Sequence, residues 1–87
     1  MDARARVARN LRRLRVRTGL SQEALAVDAG IDRTYISRLE RGLENPTVAV
    51  LERLAGAVQA DITEFFEQPR RGDRPPQPLR PGRRRKI

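Results

Sequence analysis

Residues 21–42 start a helix, stop it and start another, and the second of these has very little to bury. In "LSQEALAVDAG", Ser21 is a capping type, Glu23 suits a first turn and Gly30 stops the run. Ile31 and Asp32 connect the two, Asp32 caps again, and the next helix runs from about Arg33 to Arg41 before Gly42 closes it. After Ile31, only Ile36, Leu39 and part of Tyr35 are apolar in this second segment. Two short helices joined by a three-residue turn must cross closely. Ala26 supplies a small residue for the crossing, and Gly30, four residues on, tolerates the positive φ that the turn needs. The second helix therefore docks by a narrow stripe and leaves its other face free.

The rest of the chain frames this pair with helices. In "DARARVARNLRRLRVRTG", Val7, Ala8, Leu11 and Leu14 have the three-to-four spacing of an amphipathic helix, ending near Thr18 with Gly19 behind it. "LENP" reads as a loop, because the residue before Pro46 is pushed out of the helical region. Thr47 caps a fourth helix through Val58, with Val48, Leu51, Leu54, Ala55 and Val58 facing inward. "DITEFFE" pairs Asp61 with Glu64 as a capping box and starts a short fifth helix carrying Ile62, Phe65 and Phe66. From Pro69 onward the chain holds five of the six prolines, and Leu79 and Ile87 are its only apolar residues besides proline. Such a segment cannot bury enough to offset ordering, so it reads as a disordered Arg/Pro-rich tail. The expectation is an all-α, compact five-helix domain over residues 1–68, with its helical pair at about 21–41, and a disordered tail over 69–87.

Composition removes whole classes of function. There is no Cys and no His, which excludes disulfides, thiolate chemistry, His-based metal sites and the commonest general base. No paired carboxylates or Gly-rich phosphate loop replace them, so neither an enzyme nor a metal or cofactor is expected. No apolar run approaches membrane-spanning length and no signal-peptide pattern opens the sequence, so a cytoplasmic protein with no membrane partner is expected. The net charge of +8 divides unevenly: +6 over residues 1–17, −5 over 18–68 and +7 over 69–87. The folded part is nearly neutral, and the basic excess in the tail favours a polyanion, most simply nucleic acid. Eighteen of the 19 basic residues are Arg, a bias that a source genome can also produce, so charge alone decides little.

The stretch "SQEALAVDAGIDRTYISRLERGLENPTVAVLERLAGAV" resembles the lambda-repressor-like DNA-binding domain, the Cro/cI or XRE-type helix-turn-helix group. Gln22, Ala26, Gly30, Ile36 and Glu40, followed by "RG" and "NPT", carry the resemblance, which spans about residues 5–67. The periodicity of the third helix agrees with it. At about 100° per residue, Tyr35, Leu39 and Ile36 fall on one side, while Ser37, Arg41, Thr34 and Arg38 fall opposite. That outward face sets short polar side chains between guanidinium groups, a composition that suits a major groove.

What the resemblance implies is a sequence-specific transcriptional regulator bound to double-stranded DNA, with Arg33, Thr34, Ser37 and Arg38 meeting bases, Arg33 standing between a base and a backbone contact. Gln22, Tyr35, Arg41 and Asn45 are the expected phosphate contacts. Arg15 lies on the apolar side of helix one and Glu40 beside Ile36 on helix three. The family has an Arg–Glu pair at the matching positions, so a salt bridge between them is expected. A single short helix reads too few base pairs for genomic specificity, which favours a homodimer on an inverted-repeat operator. Phe65 and Phe66 exceed what one small core needs, which places the dimer surface on the fifth helix and the end of the fourth, with one of the two rings expected to close the monomer core. Restriction–modification controller proteins and antitoxins share the "RTYISRLERG … NPT" pattern; an antitoxin would add a small protein partner, its toxin. An RNA-binding module led by the tail has less support, because no stacking aromatics are interleaved there.

Overall fold

The computed structural model describes residues 2–68, so the disordered tail expected over 69–87 lies outside the described residues. Four α-helices follow in order: α1 (Ala3–Thr18), α2 (Gln22–Ala29), α3 (Arg33–Glu40) and α4 (Val48–Ala57). A 3₁₀ turn, Ile62–Phe66, ends the fold, and no strand occurs among the described residues.

Every element starts on a side-chain cap that satisfies an orphan amide. Asp2 accepts from Ala5 N–H at 2.8 Å, Ser21 from Ala24 at 3.0 Å, Asp32 from Thr34 at 2.9 Å and Thr47 from Val50 at 3.1 Å. Asp61 and Glu64 form the reciprocal capping box of the 3₁₀ turn. All four helices also end in the same closure, in which two successive amides turn back onto the last carbonyls. For α3 these are Gly42 N–H to Leu39 C=O at 3.0 Å and Leu43 N–H to Arg38 C=O at 3.0 Å. The residue at the turn has positive φ in each case: Gly19, Gly30 and Gly42, and after α4 the non-glycine Gln59 at φ 56°. After α1, α2 and α4 the next residue (Leu20, Ile31, Ala60) packs against the core. After α3 it does not, and Leu43 remains 45% exposed.

The five-helix expectation needs correction: there are four α-helices, and the fifth element is a 3₁₀ turn. Only five residues separate Asp61 from Glu67, too few to establish an i→i+4 ladder, and Glu67 N–H reaches back only to Glu64 C=O. Pro69 in the sequence then keeps Gln68 out of the helical region.

The core is one cluster to which every element contributes: Leu11 and Leu14 from α1, Leu25 from α2, Ile36 and Leu39 from α3, Leu54 from α4, and Phe65 from the 3₁₀ turn. Helix α1 packs on the 3₁₀ turn and on α3, while α2 packs on α3 and α4. The short α3 is thus held from two sides with one face left over.

Candidate nucleic-acid interface

Of the eight residues of α3, only Ile36, Leu39 and Glu40 are buried. Ile36 and Leu39 are fully buried, as their spacing requires for a docking stripe. Arg33, Thr34 and Arg38 are exposed and Ser37 is half-buried, so all four expected base-reading residues are accessible. Arg41 and Asn45 are exposed beyond the end of the helix, and Gln22 is half-buried at the first position of α2.

Glu40 is the polar member of the docking stripe. Arg15 meets it as a two-point fork, with Nε–H donating to Oε2 at 2.6 Å and Nη2–H to Oε1 at 3.0 Å. Arg15 Nη1 also donates to the Leu20 carbonyl at 2.9 Å, so the guanidinium is tied to the end of α1 as well as to α3. The Glu40 carboxylate further takes a hydrogen bond from Gln22 Nε2 at 3.1 Å and lies 3.5 Å from Arg12 Nε. One buried carboxylate therefore links α1, α2 and α3, and it fixes the amide nitrogen of Gln22.

At the outer end of the helix, Arg38 Nε donates to Glu44 Oε2 at 2.7 Å, with both side chains partly exposed. Tyr35 packs its ring against the core edge. Burial first, and the nearby Glu44 carboxylate second, raise its phenol above the ordinary value, so the hydroxyl stays protonated and able to donate.

Helix α1 is less of a solvated cationic face than its Arg count suggests. Arg13 pairs with Glu67 at 3.3 Å and Arg17 with Glu64 at 3.5 Å, directing much of the charge toward the C-terminal turn. Asn10 escaped the sequence reading and is 2% exposed. Its Nδ2 donates to the Phe65 and Glu67 carbonyls, each at 2.8 Å, and latches the 3₁₀ turn onto α1. Its position three after Val7 and four before Leu14, on the apolar stripe, was the available signal.

The expected dimer surface also changes. Phe65 is fully buried in the monomer core and presents nothing to a partner, whereas Phe66 is 44% exposed. Among the described residues no group of three His, Cys, Asp or Glu side chains is placed to hold a metal ion. No helix among them is long and apolar enough to cross a membrane.

Residues 6–65 match the family model described as a helix-turn-helix domain. The uncharacterized HTH-type transcriptional regulator y4dJ of Sinorhizobium fredii is 47% identical over 65 residues, covering 75% of this chain and 84% of its own length. The HTH-type transcriptional regulator SlrR of Bacillus subtilis is 36% identical over 62 residues, 70% of this chain, and the chain spans only 41% of SlrR. The crystal structure of the restriction-modification controller protein C.AhdI from Aeromonas hydrophila superposes with a TM-score of 0.70 at 38% identity. That match covers 72% of this chain and 96% of C.AhdI.

Proposed function

The chain belongs to the helix-turn-helix family, and from that membership we propose that it is a transcriptional regulator that seats α3 in the major groove of DNA as a homodimer. The observation that carries this is the division of α3. Ile36, Leu39 and Glu40 hold it from behind, while Arg33, Thr34, Ser37 and Arg38 lie on the accessible side. Guanidinium groups and a short hydroxyl in that order suit base edges: Arg bonds guanine O6 and N7, and Thr meets a base edge or a thymine methyl. Gln22, Tyr35, Arg41 and Asn45 are the proposed phosphate contacts, which fix register without reading sequence. The protein works by binding rather than by catalysis, in the cytoplasm.

Selection of bound duplexes from a random library tests this directly. The expected product is an inverted repeat whose half-site centres lie about 34 Å apart, one turn of DNA, or a multiple of it. Failure to enrich any sequence would remove the regulator from consideration. Phe66, 44% exposed, is the residue of the expected dimer surface that remains available to a second copy. Sedimentation should show concentration-dependent association that Phe66→Ser weakens; a monomer at every concentration would exclude the homodimer. Residues 1–68 form the reading domain, so removing 69–87 should leave the selected sequence unchanged.

The match to C.AhdI favours one narrower reading, a controller of a restriction–modification operon. The two readings part on genetic context, because a controller's gene lies beside those of an endonuclease and a methyltransferase.

A further inference from the structure

We propose that Glu44 is a positioning residue for base recognition, which sets the Arg38 guanidinium so that its two terminal nitrogens face a guanine. The proposal rests on the DNA-binding role of α3 and on Arg38 as a reader. It adds to them a residue outside the recognition helix.

The loop after α3 is built differently from the other helix ends. Leu20, Ile31 and Ala60 pin their loops by packing on the core, whereas Leu43 is left 45% exposed. The Gly42 closure, with Leu43 N–H on the Arg38 carbonyl, brings the chain back over the last turn of α3. It sets Glu44 beside the side chain of the same residue whose carbonyl it bonds. Glu44 Oε2 then takes the Nε–H of Arg38 at 2.7 Å. Arg38 thus spans the loop at both its backbone and its side chain.

The atom that Glu44 occupies decides the consequence. A guanidinium offers five N–H donors in a fixed plane. With Nε–H held by the carboxylate, Nη1 and Nη2 remain as a parallel fork, the geometry that bonds guanine O6 and N7 bidentately. An unrestrained arginine must lose its rotamer freedom on binding, and a tethered one has lost it already. The same carboxylate acts against incorrect DNA. Where no acceptor faces the fork, a negative charge still approaches the phosphates with nothing gained at the base, and the gap between right and wrong sequences widens.

The test applies the random duplex library to the 87-residue wild type, Arg38→Ala, Glu44→Ala, Glu44→Gln and the Arg38→Ala/Glu44→Ala double variant, with affinities then measured on the selected duplex and on single-base changes of it. Arg38→Ala should erase one guanine preference, a loss of about tenfold or more. Glu44→Ala should weaken the same preference, by about three- to tenfold, while raising affinity for unselected duplex. The double variant should look like Arg38→Ala alone, and Glu44→Gln, which keeps an acceptor oxygen, should recover part of the loss. A merely structural role would lower affinity for all sequences together and shift the melting temperature without altering base preference.

Glu44→Ala with an intact preference, or with a preference lost at another base, would overturn the proposal while leaving Arg38 as a reader. A loss that persists in the Arg38→Ala background would do the same, because Glu44 would then contact DNA itself. Arg38→Ala with every preference intact would overturn the role of Arg38 and this proposal together. No enriched sequence with the wild type would go further and remove the DNA-reading function.

Discussion

Two Arg–Glu pairs of nearly equal shortest distance, the inner a two-point fork and the outer a single bond, sit at the two ends of this structure's polarity. Arg15 and Glu40 meet at 2.6 Å with side chains 6% and 0% exposed; Arg38 and Glu44 meet at 2.7 Å with side chains 46% and 27% exposed. The bond lengths do not separate them, but their surroundings do. The inner pair has lost its water, so its charges depend on each other and on the Gln22 and Leu20 groups that complete the cage. The outer pair is hydrated and screened, contributes little to stability, and stays accessible from solvent, as the proposed base contact requires. The same chemistry holds the helix in one place and prepares it for use in the other.

The largest effect follows from opening the inner pair. Arg15→Ala leaves the buried Glu40 carboxylate with only the Gln22 amide and the more distant Arg12 guanidinium, and should cost about 3–5 kcal/mol, read as a drop in urea midpoint. An Arg15→Ala protein of unchanged stability would break the contrast between the pairs. Replacing both partners together, Arg15→Met with Glu40→Leu, should recover most of the loss, because the penalty comes from the unpaired charge.

Asn10 sharpens the comparison by keeping burial and removing charge. Asn10→Ala leaves the Phe65 and Glu67 carbonyls without their donor and should cost about 1–3 kcal/mol. Thermal melting should place it between the inner and outer pairs.

Opening the outer pair should scarcely move stability. Arg38→Ala is expected to change unfolding by less than about 1 kcal/mol, while library selection loses a base. A large stability loss would erase the distinction drawn here.

Asp61 extends the series to full exposure. The Thr63 hydroxyl, and then the Thr63 amide, hold its carboxyl below the ordinary value. An unfolded chain therefore binds this proton more readily, so the stabilisation is present above the unfolded value and fades as pH falls through the folded one. Urea midpoints in acid and at neutrality should show Asp61→Asn to be slightly less acid-sensitive than the parent.

Much of the scaffold is visible along the chain because its signals are local. Ser21, Asp32 and Thr47 announce helix starts, Gly19, Gly30 and Gly42 announce ends, and the stripe of Ile36 and Leu39 shows which side of α3 faces inward. Angular position puts Arg15 and Glu40 on the apolar sides of their helices, the family resemblance pairs them, and their side chains meet across α1 and α3. Other features depend on three-dimensional closure. A capping box specifies where an element begins but not whether it winds as α or 3₁₀, so the winding of the last turn, and which of Phe65 and Phe66 faces inward, were hidden. Asn10 looks polar by type while occupying an apolar position. Glu44 lies outside any helical period, and only the path of the backbone after Gly42 brings it to Arg38.

With Ile36, Leu39 and Glu40 of α3 buried and Tyr35 packed against the core edge, four of its eight positions carry no duty to the core. A change at any of these, or in the Leu43–Asn45 loop, meets solvent rather than packed neighbours, where substitutions usually stay within about 0.5 kcal/mol. Target preference can therefore drift, or be engineered, almost independently of foldability. One scaffold of this size can serve many operators by exchanging a handful of outward side chains.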